Sequence, residues 1–313
     1  MKVLVTGAAG FIGSHAAEAL TKEGYQVVGL DNFSDYYDVK LKCLNEDILR
    51  KSNIDIVKAD IRSSQDLKQL DLDFDFIIHF AAQPGISSTS TFEQYLENNV
   101  IGTQNLIDFA HRNKKLKHFL NISTSSVYGL EATFPEDAAA QPASFYGVTK
   151  LAAEQLVLAE SRAKRLNSSS LRLYSVYGPR ERPEKLYTKL IACAFNNEKF
   201  PLFSGSEKHL RSFTYVGDIL EGVLSAIKKH HEINGEIINL GTEAEYTTQE
   251  GIDYVEELLG KKIELEIKPR RKGDQWHTRA NIDKAKKILD YYPKTTLKDG
   301  LQRQINWYKA NFL

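Results

Sequence analysis

Tyr146 and Lys150 stand four residues apart in Tyr146-Gly147-Val148-Thr149-Lys150, a spacing that puts both side chains on one face of a helix. A phenol is a weak base at neutral pH, because its reference pKa is about 10. A neighbouring ammonium favours the ionised form, so the pair can take a proton from a hydroxyl group. Two solvated residues on an amphipathic helix share this pattern, and its meaning depends on what accompanies it. Near the start of the chain, Thr6-Gly7-Ala8-Ala9-Gly10-Phe11-Ile12-Gly13 separates a strand-like run from a helix-like one. There Gly7 permits a tight turn, Gly10 lets the backbone approach a pyrophosphate, and Gly13 lets the helix pack on a sheet. The N–H groups of Phe11, Ile12 and Gly13 would then face phosphates at the helix N-terminus. A glycine turn that seats a dinucleotide and a Tyr–Lys pair that moves a proton together suggest hydride chemistry on a hydroxyl.

Further residues fit that scheme. Asp31, followed by Asn32, closes the second strand-like run, where a carboxylate accepts hydrogen bonds from an adenosine ribose and repels a 2′-phosphate. This predicts NAD rather than NADP. Asp60-Ile61 follows the third run and is placed to meet the adenine; an ordinary helix cap is the plainer reading of Asp60. The small residues of Phe80-Ala81-Ala82 follow the fourth run and suit close passage of a cofactor. Ser123-Thr124-Ser125-Ser126 follows the fifth and offers hydroxyls that could hold a sugar hydroxyl and help transfer its proton.

The elements that must position these groups are legible as alternating runs. Lys2–Val5, Gln26–Leu30, Ile54–Val57, Phe76–Phe80, His118–Ile122, Ser170–Leu173 and Ile237–Leu240 read as strands apolar on both faces, separated by helical segments such as Ser14–Glu23. Repeated β-α-β order predicts an α/β fold, a doubly wound parallel sheet of the Rossmann type with a smaller discontinuous substrate-binding domain. We expect residues 1–174 and 212–240 to form the NAD-binding domain and 175–211 and 241–313 the nucleotide-sugar-binding domain.

The bulk properties set limits. The 313 residues are 42% hydrophobic and 26% charged, with 41 basic against 41 acidic side chains. That balance gives no argument for nucleic acid or an anionic membrane as partner. Cys43 and Cys193 match no metal spacing and fit a reducing compartment. No metal is expected. No signal peptide and no membrane-spanning stretch are evident, so a cytoplasmic protein is expected.

The motifs also carry a resemblance. The opening glycine turn, His79-Phe80-Ala81-Ala82-Gln83, Asn99-Val100-Ile101-Gly102-Thr103, the Ser/Thr loop, Tyr-x-x-x-Lys, Arg211-Ser212-Phe213-Thr214-Tyr215-Val216 and Arg271-Lys272-Gly273-Asp274 resemble the extended short-chain dehydrogenase/reductases nearly end to end. The resemblance implies nucleotide-diphosphate sugars as substrates, NAD as cofactor with Asn99 and Tyr174 among its contacts, and a homodimer built on two helices per subunit. The 4,6-dehydratases of that family carry Asp-Glu after the threonine and the UDP-glucuronate decarboxylases a Glu before Val-Tyr-Gly; Ser125 and Ser126 stand here instead. That favours C4 epimerisation through a 4-keto intermediate, with Thr124, Tyr146 and Lys150 catalytic. Asp31–Asp38 and Tyr177–Pro183 look like UDP-glucuronate 4-epimerases, in which the residue matching Arg182 helps hold the sugar carboxylate. Ser175 stands where those enzymes usually have threonine. Ser87 replaces an arginine usual near the sugar, and Glu184-Lys185 replaces Asp-Met, so UDP-glucuronate or a related UDP-sugar is implied. Arg211 and Arg271 are the candidates for the diphosphate anchor and Phe203 for the base, with Asp274 a further substrate contact. A dehydratase, a decarboxylase and a non-catalytic NAD-binding sensor or scaffold are the competing readings.

Overall fold

A computed structural model describes residues 1–85, 90–270 and 275–313. Its centre is a sheet of seven parallel strands: β1 (Lys2–Thr6), β2 (Gln26–Asp31), β3 (Asp55–Lys58), β4 (Phe76–His79), β5 (His118–Thr124), β6 (Ser168–Leu173) and β7 (Ile237–Leu240). Their spatial order is β7-β6-β5-β4-β1-β2-β3. The runs expected to be strands all form, in parallel register. The reason is visible in β4 and β5, every residue of which is buried: strands covered by helices on both faces have no solvent side.

Chain order reverses between β1 and β4, so a crevice opens beyond their carboxyl ends, where such sheets bind ligands. Two glycines shape it. Gly7 leaves β1 at φ +70°, and a Cβ there would lie 2.9 Å from the Ala81 nitrogen. A Cβ on Gly13, in helix α1 (Phe11–Lys22), would meet the Gly7 carbonyl at 2.1 Å. Helix α1 therefore starts hard against the turn that feeds it.

A second core lies beside the sheet, built on helices Leu186–Asn196, Thr248–Leu259 and Leu297–Phe312. Leu210–Arg211 joins a four-stranded sheet, and Phe200–Phe203 pairs with Leu265–Lys268. Residues Ala280, Ile282, Ala285, Leu289 and Tyr291 pack into the core of the large sheet, although they follow residue 241. Among the described residues no helix is long and apolar enough to cross a membrane.

The sheet interior also holds two neutral histidines. His79 is clamped between the Thr6 and Thr103 hydroxyls at 2.8 and 3.0 Å, and His118 contacts Ser169 at 2.8 Å. Burial pulls both down to about 3, helped at His79 by the Lys150 charge and at His118 by His230. In the unfolded chain both bind protons near pH 6.5. Between about pH 6.5 and 3 the unfolded state therefore holds protons that the folded state refuses, and stability falls as pH falls. Urea midpoints at pH 7 and pH 4 check this: the midpoint drops at pH 4, and His79→Gln reduces the drop. An equal drop in that variant removes His79 from the account.

Candidate active site

One cleft of about 1070 Å³ runs from the glycine turn across the ends of β1, β4, β5 and β6 to the second core. That exceeds the range of about 300–1000 Å³ for a single drug-sized ligand and has room for a dinucleotide and a second molecule. The cleft brings together most of the residues singled out in the sequence. Gly7, Gly10, Phe11, Ile12, Gly13, Asp31, Asn32, Ile61, Phe80, Ala81, Ala82, Tyr174 and Lys150 line one part; Thr124, Ser125, Ser126, Tyr146, Ser175, Arg182, Phe203 and Arg211 line the rest. Ser87, Arg271 and Asp274 lie outside the described residues.

Two expected cofactor contacts do not line it. Asp60 turns its carboxylate to the Arg62 guanidinium, at 2.7 Å, and takes the Asn32 amide at 3.1 Å. Asn99 is buried in a π-turn, Leu96–Ile101, between helices Phe92–Tyr95 and Gly102–Arg112. Its Oδ1 accepts the Gln83 N–H at 2.7 Å and its amide donates to Thr149 at 3.0 Å. Asn99 thus ties the loop after β4 to the helix that carries Tyr146, which is a positioning task.

The glycine end fits a dinucleotide. Gly10 caps α1 without a side chain, so no side chain competes for the first-turn N–H groups. At the end of β2, Asp31 is buried and anchored. Its carboxylate accepts the Ala9 N–H at 3.0 Å and the Phe33 N–H at 2.8 Å, with Lys42 Nζ 3.7 Å away. Burial lowers the Lys42 ammonium, and Asp31 opposes that pull. Sequence reasoning missed Lys42. The signal was its place on the inward stripe of helix α2 (Val39–Lys51), where Lys42, Asn45 and Leu49 are the buried positions.

The proton-moving end sits where β5 stops. Ser144 caps the helix Phe145–Arg162 through the Gly147 N–H at 3.1 Å, which starts that helix with Tyr146 in its first turn. Burial raises the Tyr146 phenol; a hydrogen bond from Thr124 and the Arg182 charge pull the other way. Lys150 is buried and donates to the Ile122 carbonyl at 2.6 Å. Burial brings its ammonium down to about 8, against the pull of Glu154. Lys150, expected from the sequence to favour the phenolate, sends its ammonium to the Ile122 carbonyl, and the Arg182 charge favours the phenolate from across the cleft.

Across the cleft, Arg182 places Nη1 2.6 Å from Glu184 and its guanidinium over the Tyr36 ring, 5.7 Å from the centroid. Lys185, passed over as a binding residue in the sequence, lines the same wall; burial and the Arg182 charge lower its ammonium, and Glu181 and Glu184 oppose them. Glu181 is buried against Thr188 and Gln304, and burial pushes it up to about 7. The arrangement can bind an anionic ligand at the Arg182–Lys185–Arg211 wall and exchange a proton at Tyr146 beside a bound dinucleotide.

The model of the NAD-dependent epimerase/dehydratase family matches residues 3–241. A Bacillus subtilis protein described as an uncharacterised UDP-glucose epimerase, YtcB, is 36% identical over 315 residues, covering 99% of this chain and 98% of its own. UDP-glucuronate 4-epimerase 3 of Arabidopsis thaliana is 34% identical, covering 98% of this chain and 76% of its own. Among solved structures, a Bacillus cereus UDP-glucuronic acid 4-epimerase in complex with UDP-glucuronic acid and NAD superposes with a TM-score of 0.92 at 35% identity, over 100% of both chains.

Proposed function

This chain belongs to the NAD-dependent epimerase/dehydratase family, and we propose that within it the protein epimerises C4 of a UDP-linked sugar, UDP-glucuronate or a related one. The observation that carries this reading is the loop leaving β5. It presents the hydroxyls of Thr124, Ser125 and Ser126 to the cleft beside Tyr146, with no carboxylate among them. Elimination or decarboxylation draws on an acid at that place in related enzymes; proton shuttling needs only the hydroxyls and the phenol.

In this reading Tyr146 takes the proton of the C4 hydroxyl, and Thr124, hydrogen-bonded to the phenol, steadies the oxygen that receives it. NAD, when bound, accepts a hydride and returns it. Lys150 and Tyr146 hold its nicotinamide end, and the turn Gly7–Gly13 with Asp31 and Asn32 its adenosine end. Tyr174, Phe80, Ala81 and Ala82 wall the passage between them. Arg211 and Lys185 anchor the sugar's diphosphate, Phe203 packs on its base, and Ser175 and Arg182 face the sugar. The wall's charge is suited to bidentate capture of phosphate or carboxylate oxygens.

The same reading includes a homodimer in the cytoplasm. Phe92 on its short helix, Ile101 at the end of the π-turn, and Phe145 and Val148 on the helix that carries Tyr146 are exposed apolar residues, with Phe92 and Phe145 in edge contact at 5.3 Å. Free Cys43 and Cys193 suit a reducing compartment.

The test is incubation of purified protein with UDP-glucuronate, and separately with UDP-glucose, without added cofactor, followed by NMR. The 4-epimer of at least one is expected. A 4-keto-6-deoxy product, or carbon dioxide from UDP-glucuronate, overturns epimerisation in favour of a dehydratase or decarboxylase. NAD bound with no conversion across a panel of nucleotide sugars points to a sensor or scaffold.

A further inference from the structure

The segment between β2 and helix α2 carries two adjacent aromatic rings that the proposed reaction does not use. Tyr36 and Tyr37 both line the cleft, and a cation stands over each. Lys42 Nζ lies 5.1 Å from the Tyr37 ring centroid, at the adenosine end beside Asp31. The Arg182 guanidinium lies 5.7 Å from the Tyr36 centroid, at the sugar end. Both distances fall within the ~6 Å over which a ring face attracts a cation.

The segment is held by its own side chains. Asp31 accepts the Phe33 N–H at 2.8 Å, Asn32 Oδ1 the Ser34 N–H at 3.0 Å, and Ser34 Oγ the Tyr36 N–H at 3.3 Å. Asp38 then caps α2 through the Lys40 N–H at 2.9 Å. A run of short-range hydrogen bonds thus leads from the carboxylate aimed at the adenosine ribose to the backbone from which the Tyr36 ring projects.

Arg182 meets that ring from the opposite wall. Its ion-pair partner Glu184, at 2.6 Å, is 43% exposed, whereas the arginine side chain is 13% exposed. A guanidinium held by that carboxylate alone would follow it toward solvent; the ring holds it on the cleft side. There Arg182 Nη2 stands 3.2 Å from where a Cβ on Gly85 would lie, close against the glycine backbone. The Gly85 carbonyl accepts the Tyr95 hydroxyl at 2.8 Å, and the Tyr146 phenol bonds the same residue's backbone. The guanidinium is therefore kept beside the reacting phenol. Orienting its fork before a ligand arrives lowers the cost of gripping a carboxylate with it.

We propose that Tyr36 is a positioning residue whose ring holds the Arg182 guanidinium at the sugar end of the cleft, so that the grip on an anionic sugar depends on the loop that Asp31 anchors at the cofactor end. The inference rests on the reading of the Arg182 wall as the sugar site, and its test measures binding apart from turnover so that the two can fail separately.

The experiment is calorimetric titration of the NAD-loaded protein with UDP-glucuronate, with UDP-glucose, which differs in lacking the carboxylate, and with UDP. Tyr36→Ala, Tyr36→Leu and Tyr36→Phe are compared with the unaltered protein; leucine fills space without offering a ring face. Loss of the ring weakens UDP-glucuronate binding roughly five- to thirtyfold in Tyr36→Ala and Tyr36→Leu, while Tyr36→Phe stays within about twofold of the unaltered protein. UDP-glucose and UDP bind all four proteins nearly alike. Unchanged UDP-glucuronate affinity in Tyr36→Ala, or a Tyr36→Phe as weak as Tyr36→Ala, overturns the proposal. Equal weakening of all three ligands also overturns it and leaves Tyr36 a structural support of its loop. The expected pattern in a protein that forms no 4-epimer supports the role of Tyr36 and fails only the proposed function. Epimerisation of UDP-glucose without binding of UDP-glucuronate overturns the role of Tyr36 and leaves epimerisation standing.

Discussion

Tyr146→Phe removes turnover while leaving the fold and NAD binding in place. The variant deletes one oxygen from a residue whose ring packs beside Tyr95 at 6.2 Å between centroids, so the van der Waals volume of the wall stays as it was. What it deletes is the phenol that lines the cleft with the Thr124, Ser125 and Ser126 hydroxyls at the end of β5. General acid–base groups contribute about 10²–10⁴-fold to rate, and epimerisation measured by NMR should fall by that factor or more. Thr124 cannot substitute, because an alcohol is a far weaker acid than a phenol and its hydroxyl already engages Ser126 at 3.3 Å. Two outcomes are informative. Retained activity refutes the role of Tyr146. Loss of both activity and NAD, read from the cofactor released on denaturation, means that the phenol serves cofactor binding rather than proton transfer.

Asp31→Ala is expected to act on both stability and cofactor. The carboxylate satisfies two backbone donors, Ala9 N–H and Phe33 N–H, and stands against Lys42, with side-chain exposures of 6% and 8% for the acid and the base. Removing one partner of a buried pair costs about 3–5 kcal/mol, chiefly because the other charge stays behind without compensation. The melting temperature should drop by many degrees, and NAD should no longer co-purify, since the residue aimed at the adenosine ribose is gone. Adding Lys42→Met to Asp31→Ala relieves the stranded ammonium and restores part of the stability. It does not restore NAD binding. If the double variant recovers both, Asp31 matters to the cofactor only through the fold.

The contrast between these residues shows how much of the site is written locally. Gly7, Gly13, Tyr146 and Lys150 are recognisable in the sequence because their function depends on backbone geometry or helical spacing, and both repeat within a few residues. The seven strands are recognisable for the same kind of reason: burial on both faces forces apolar runs. Lys42, Lys185 and Arg172 are different. Each is a cation whose importance comes from what lies opposite it: Asp31 across a helix-to-strand contact, the cleft wall, and Glu154 from a neighbouring helix. Nothing in the neighbouring sequence marks the partner. Asn99 and Asp60 show the converse. Both stand at motif positions that suggest cofactor contact, yet their polar atoms are spent on Gln83 and Thr149, and on Arg62 and Asn32.

By itself the sequence determined the doubly wound class, the glycine turn, the acidic end of the second strand, the Tyr–Lys pair and the absence of an acid after Thr124. These follow from periodicity, from glycine's lack of a Cβ and from residue identity, which the chain carries at every position. Only the tertiary structure decided which charges meet. It turned Lys150 to the Ile122 carbonyl, brought the Arg182 charge to bear on the Tyr146 phenol, and placed Glu154 under Arg172. The physical reason is that burial and charge act over a few ångströms in space, between residues that the chain keeps far apart.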